Sequence, residues 1–237
     1  MKPSRTILLA SLFTILAAVP VLAADKDNGF KSIFNGRDLS GWDAQEGSWE
    51  VRDGAITCTG SAPSKNWVIY RGNEELGDFI LRLKFKYGKG NSGVQVRSDD
   101  LGEFQVQGSQ VEVAEREKMG LWHHSLLPKD DPAKETRHFL ATAGQKVVIT
   151  AKGKKTVEQV ADPVEVQKSF VEDGWNSLVV IARGPRLVQR INGVVYAELI
   201  DRHEGYARNK GVIALQDHGK GCIVAFKDIE LKELGAQ

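Results

Sequence analysis

Asn91-Ser92-Gly93-Val94-Gln95-Val96-Arg97-Ser98 alternates apolar and polar side chains at a spacing of two. Read as a strand, it directs Val94 and Val96 to one face and Gln95 and Arg97 to the other. The first face can enter a core. The second carries an amide and a guanidinium, groups that grip hydroxyl and carbonyl oxygens. The same split recurs twice. Gln110 and Glu112 alternate with Val111 and Val113, and Gln216 ends the apolar run Val212 to Leu215 and leads through Asp217 to His218. The pattern predicts one curved sheet whose polar face gathers Gln95, Arg97, Gln110, Glu112, Gln216 and His218 in a shared hollow. The plainer reading of the same residues is a solvated face on which Arg97 pairs across strands with Glu112.

Strands dominate the rest of the chain. Trp49 to Val51 and Ala55 to Thr59 flank Asp53-Gly54, and Leu187 to Ile191 and Val194 to Leu199 flank Asn192-Gly193; both are hairpin signals. Phe79 to Tyr87 alternates apolar with Arg82, Lys84 and Lys86, as a half-buried strand does. Lys146 to Ala151 and Asn176 to Arg183 read as more central strands. In the last strand, Val224 and Phe226 share one parity and Ile229 and Leu231 the other, which a bulge near Lys227-Asp228 reconciles. Asp162-Pro163 followed by Glu165 predicts one short helix, Pro163 to about Phe170, with an N-cap, an N1 proline and a capping-box partner. The polar segment Glu115 to Gly144 reads as a long excursion between strands. Many short antiparallel strands and almost no helix define an all-β sandwich or jelly roll, with a barrel as the weaker alternative.

Residues 1–24 stand apart. Lys2 and Arg5 precede a mostly apolar run, Ile7 to Leu22, and Val21-Leu22-Ala23-Ala24 offers small residues for cleavage. This is the pattern of a secretory signal peptide, and it predicts an exported chain, periplasmic or extracellular. Residues 25–237 then form one domain, long enough to bury a core of its own. With 32 Lys plus Arg against 31 Asp plus Glu, the charge balance calls for neither nucleic acid nor an acidic membrane surface. The two cysteines, Cys58 and Cys222, leave both a disulfide and buried free thiols open.

Several familiar signatures are missing. There is no glycine-rich phosphate loop, no nucleophile elbow and no His-Glu-x-x-His. His123 and His124, beside Trp122, could supply an acid, a base or a metal ligand, and His218 at the exit of its strand could lean over the sheet. Gln95, Gln110 and Gln216, with Trp122 as an aromatic platform, are the candidate substrate-binding groups. No motif demands a cofactor. A divalent cation on Glu112, His123 and His218 could take the place of the arginine, although no ligand spacing supports it.

The order of segments resembles the 3-keto-disaccharide hydrolase family. Ile33-Phe34-Asn35-Gly36-Arg37-Asp38-Leu39-Ser40-Gly41-Trp42 resembles its opening block, and Trp49 to Ile56 the next. Gly77-Asp78-Phe79-Ile80-Leu81 and Asn91-Ser92-Gly93-Val94 resemble two of its strands. Trp175-Asn176, Ile191-Asn192-Gly193, Gly211 to Gly219 and Phe226 to Leu234 complete the series. One block departs from the family pattern: Glu112 stands where many relatives carry an aspartate, and a Tyr-Asp-Glu-Ser stretch is not reproduced. The resemblance implies a concanavalin A-like jelly roll of two antiparallel sheets with a sugar site on the concave sheet. It also implies cleavage at C1 of glycosides already oxidised at C3, by proton abstraction at C2 and β-elimination, with or without rehydration. On that mechanism Glu112 is the first candidate base, Arg97 with Gln95 would stabilise the enolate, and His218 or His123 would protonate the departing oxygen, with the roles of Glu112 and His218 open to exchange. A non-catalytic, lectin-like carbohydrate-binding domain, relying on exposed Trp67 and Trp122, is the alternative.

Overall fold

The computed structural model describes residues 28–124 and 137–235; the signal peptide expected over residues 1–24 lies outside them. Seventeen strands follow one another: β1 (Lys31–Ser32), β2 (Trp42–Asp43), β3 (Trp49–Arg52), β4 (Ala55–Cys58), β5 (Asn66–Tyr70), β6 (Phe79–Lys89), β7 (Ser92–Gly102), β8 (Gln105–Val113) and β9 (Gly120–His124). After them come β10 (Phe139–Thr142), β11 (Gln145–Ile149), β12 (Lys155–Gln159), β13 (Trp175–Arg183), β14 (Arg186–Ile191), β15 (Val194–Asp201), β16 (Val212–Asp217) and β17 (Ile223–Glu233). They form two stacked sheets. The larger runs β12-β11-β15-β14-β13-β6-β17-β4-β3, with β1 pairing on β17, and the smaller runs β10-β9-β8-β7-β16-β5-β2. Pairing is antiparallel except between β11 and β15. The fold is therefore an all-β sandwich.

Local signals explain the corners. Asp53 and Gly54 both take positive φ (51° and 73°), as do Asn192 and Gly193 (48° and 85°), so both hairpins use turns twisted to match their strands. The parity change in β17 is taken up between Lys227 and Glu230, with Asp228 at φ 51°. The helix α1 (Pro163–Gln167) is shorter than expected. Its Asp162 cap accepts from the Val164 and Glu165 amides, while Glu165 turns outward to Lys168 instead of closing a capping box.

One expectation fails in this region. The excursion Glu115 to Gly144 contains β9 and β10, which extend the smaller sheet beyond β8. Its polar composition concealed them because β9 uses its two faces differently, with Trp122 on one and His123 on the other. Among the described residues, no helix is long and apolar enough to cross a membrane.

The core lies between the sheets. Val94, Val96, Val111, Val113, Leu121, Ile213 and Leu215 come from the smaller sheet and meet Leu81, Leu83, Phe85, Leu178, Val180 and Phe226 from the larger. The opposite face of the smaller sheet is also buried, and there Trp67, Ile69, Val106, Val212 and Ala214 form a second apolar cluster. All six residues of β16 are buried. The polar residues on this far face are thus buried beside an apolar cluster, not set on a solvated plane.

Arg97 is the main correction to the predicted face. It occupies a bulge in β7, between Val96 and Asp99, with φ 48°. An extra residue in a strand re-aims the side chain it carries. The guanidinium points to the larger sheet instead, where it donates to the Gly77 carbonyl at 2.8 Å, the Gly184 carbonyl at 2.5 Å and Asp78 Oδ1 at 2.7 Å. Asp78 also accepts the Gly184 amide, so Arg97 ties β7 to the β6 entrance and the β13–β14 turn. Arg97→Ala should lower unfolding stability by about 2–4 kcal/mol, because Asp78 and two carbonyls lose a charged donor. The urea midpoint, at unchanged slope, measures the loss.

Candidate active site

The site forms where three strands run side by side. In the register, Gln95 on β7 faces Gln110 on β8, Gly93 faces Glu112, and β16 lies on the other flank of β7 with Ala214 opposite Gln95. Gln95, Gln110, Glu112 and Gln216 therefore share the face turned away from the core. Gly93 makes the arrangement fit. A Cβ there would lie 2.5 Å from Gln110 Cδ, so only a residue without a side chain leaves room for Gln110 to reach across β7.

A continuous hydrogen-bond chain results. Ser98 Oγ donates to Gln95 Oε1 at 2.6 Å, and Gln95 Nε2 to Gln110 Oε1 at 2.9 Å. Gln110 Nε2 then divides its two protons between Glu112 Oε2 at 2.7 Å and Gln216 Oε1 at 3.0 Å. Asn91 Nδ2 donates to the second oxygen of Glu112. The amide orientations are fixed by this order, since an ionised carboxylate can only accept. The chain ends in an unused donor: Gln216 Nε2 is buried and has no protein partner.

Glu112 is 2% exposed. Burial pushes its carboxyl up from the ordinary 4.5 to about 7, against the opposing pull of the Gln110 and Asn91 hydrogen bonds and the Lys118 charge. Removing water disfavours the carboxylate more than two amide donors favour it. The result is a carboxyl that exchanges its proton near neutral pH, which is what a general base requires.

The other predicted residues divide. Trp122 faces Gln110 across β8 and β9, its Nε1 donating to the Lys118 carbonyl at 3.0 Å and its ring packed on Phe139 at 4.1 Å between centroids. His123 points the other way, because in an unbroken register it pairs with Ser109 and shares the parity of Leu121. It is buried with Tyr206, and burial and the Arg137 charge hold its imidazole down at about 3. His123 is thus not brought to Glu112, and the trio Glu112, His123 and His218 cannot close on one cation. His218 stands exposed at the end of β16, where partial desolvation and Lys65 lower its pKa. Trp67, expected as an exposed platform, is fully buried. Two participants were missed: Asn91, which lies in the quoted stretch just ahead of β7, and Ser98, which the Arg97 bulge returns to the site face. The sequence signal for Asn91 was its position two residues before Gly93 on a strand of period two.

Residues 29–232 match the model of the 3-keto-alpha-glucoside-1,2-lyase-like domain. Among curated proteins none matches the chain. The fold resembles several solved structures. One is a Parabacteroides distasonis protein provisionally classed as a glycosyl hydrolase, 18% identical, with 87% of this chain and 100% of that one covered and a TM-score of 0.56. The carbohydrate recognition domain of Emp47p is 12% identical, with 87% and 98% covered and a TM-score of 0.55. A galectin-like protein from Bacillus subtilis is 11% identical, with 82% and 90% covered and a TM-score of 0.51. At these identities the likeness is one of fold.

Two measurements follow from the Glu112 environment. Its folded value lies above its unfolded one, so the native state holds the extra proton between pH 4.5 and about 7. The stability this contributes is fully present below 4.5 and is lost as pH rises through 7. Between pH 5 and 8 the wild type should therefore lose up to about 3 kcal/mol more than Glu112→Gln, in urea unfolding at the two pH values. Asn91→Ala should move the Glu112 carboxyl titration, followed by 13C NMR, to still higher pH, because the substitution removes a donor to the ionised form.

Proposed function

The chain belongs to the 3-keto-alpha-glucoside-1,2-lyase-like family, and from that premise we propose that it cleaves 3-keto-glycosides at C1, with Glu112 as the base. Membership places the chain among carbohydrate-active proteins. The observation that carries the finer reading is the Glu112 carboxyl itself, buried, held by two amides and poised at about 7.

A carbonyl at C3 acidifies the hydrogen on C2, since the electron pair left behind delocalises into it. Glu112 takes that proton. The C2 electron pair forms a C1–C2 double bond and the C1–O bond breaks. Water added across the double bond completes a net hydrolysis. Negative charge develops on the C3 oxygen, and the unused Gln216 Nε2 proton is the available donor for it. This is the part that Arg97, engaged with the other sheet, does not play.

The leaving oxygen needs a proton. Partial desolvation and the Lys65 charge lower the pKa of His218 and disfavour its charged form, which makes it the weaker candidate for that proton. Glu112 has just become protonated beside C1 and can return the proton it removed. One carboxyl near pKa 7 is suited to both directions of transfer. Gln95 and Gln110 hold the carboxyl and amides in place. With Glu112 so little exposed, a sugar reaches it only as its surroundings open, and binding and desolvation are linked.

Purified protein should release a chromogenic aglycone from a 3-keto-glucoside and not from the parent glucoside. Glu112→Gln should reduce that release by roughly a hundredfold or more, whereas His218→Ala should cost less than about tenfold. The rate should rise with pH through about 7 as Glu112 ionises. Sugar binding without release from either compound would indicate the lectin-like alternative. Gly93→Ala tests the hydrogen-bond chain separately. It should displace Gln110 and cut turnover by about tenfold or more while circular dichroism stays native.

A further inference from the structure

The chain has two cysteines. They are 164 positions apart in sequence, yet their sulfurs lie 3.4 Å from each other. Cys58 ends β4 in the larger sheet. Cys222 sits in the turn that leads from β16 of the smaller sheet to β17. Both are buried, at 3% and 2% exposure. Asp217 adjoins them, with its carboxylate and both sulfurs within 4.8 Å of one another. Asp217 Oδ1 accepts the Gly219 amide at 2.9 Å. Its Oδ2 is buried without a partner. A carboxylate oxygen left bare beside two thiols is an acceptor for their protons, and leaving it unsatisfied has a cost that such a role would offset.

We propose that Cys58 and Cys222 are a dithiol–disulfide pair, with Asp217 as its proton acceptor, and that under oxidising conditions the chain carries them as a disulfide linking the two sheets. Cys222 reacts first. It closes a turn that contains Gly219 and Gly221, both with positive φ (111° and 84°), with exposed His218 and Lys220 in the same turn. The Cys222 sulfur and burial hold Cys58 protonated, well above the ordinary thiol range.

The exchange needs an external disulfide, either a small molecule or a protein. Asp217 Oδ2 takes the Cys222 proton, and the thiolate attacks one sulfur of that disulfide. A mixed disulfide forms, and the expelled thiolate takes the proton from Asp217. Asp217, free again, takes the Cys58 proton. Cys58 then attacks the Cys222 sulfur and expels the second thiolate, which is protonated in turn. Two protein thiols are oxidised and one external disulfide is reduced to two thiols.

The pair also lies behind two members of the amide chain at Glu112, Asn91 and Gln216. Cys222 Sγ is 3.4 Å from the Asn91 carbonyl and Cys58 Sγ 3.9 Å from the Gln216 carbonyl. A covalent link here would fix the backbone from which Asn91 and Gln216 reach forward.

Thiol titration of the full chain decides the matter independently of any activity. After incubation with oxidised glutathione and then denaturation, no free thiol is expected. Two should appear on reduction, and the oxidised chain should weigh two hydrogens less. Reduction should lower the melting temperature by roughly 5–10 °C, and the double variant Cys58→Ala/Cys222→Ala should melt like the reduced protein. Asp217→Asn should slow closure by about tenfold or more and reach the same oxidised end point. Two free thiols after prolonged oxidation would overturn the proposal. So would one zinc ion per chain whose removal by a chelator uncovers both thiols, which would make the cluster a metal site. An unchanged closure rate in Asp217→Asn would remove the carboxylate from the step. Should the double variant not fold, the thiol count on the wild type gives the answer alone.

Discussion

A carboxylate that water cannot reach is the constraint around which the smaller sheet is arranged. Glu112 would carry a large desolvation penalty if left alone. The sheet meets it with two amide donors and still leaves its proton affinity near neutrality. Each neighbouring feature serves that balance. Gly93 gives up a side chain so that Gln110 can cross β7. Gln95 and Ser98 fix the Gln110 amide so that its NH2 end, not its carbonyl, faces the carboxylate. Reversing that one amide would bring two acceptors together and empty the site of its logic.

The bulge at Arg97 shows how one backbone irregularity assigns two side chains at once. A regular β7 would have carried Arg97 onto the site face, beyond Gln95 and opposite Gly108. An arginine on that face would bring a positive charge toward the carboxylate, which acts to lower its pKa, away from the value a base needs. The extra residue sends the guanidinium to Asp78 and the larger sheet and returns the small Ser98 hydroxyl to the face instead. Charge is thereby kept away from Glu112, and the same arginine fastens the two sheets to each other.

These details mark how far the sequence could be read. Period-two alternation identified the strands, and Asn-Gly and Asp-Gly identified two hairpins, because both signals are local. The site face of Gln95, Gln110, Glu112 and Gln216 followed from the same alternation. Arg97 was misplaced because a bulge changes parity and nothing in Val96-Arg97-Ser98 announces a positive φ at arginine. His123 was misplaced because β9 was hidden in a polar segment, so its parity could not be set. Burial of the whole polar face was not legible either. It is a tertiary property, as is the neighbouring apolar cluster around Trp67, which forms only when β5, β8 and β16 come together.

The remaining question is why such a face should be buried at all. A lectin reads hydroxyls that stay solvated in the free sugar, and it gains little by hiding its amides from water before the ligand arrives. A base for a C2 proton gains much more. Desolvation raises the proton affinity of its carboxylate toward that of the acidified carbon, and it strengthens the field of a single donor on the developing enolate. Gln216 offers that donor with its other end already held by Gln110. The amide therefore need not reorient when charge appears. Preorganisation of this kind has a use in a transition state and little in ground-state binding, and it favours catalysis over recognition as the work of this sheet.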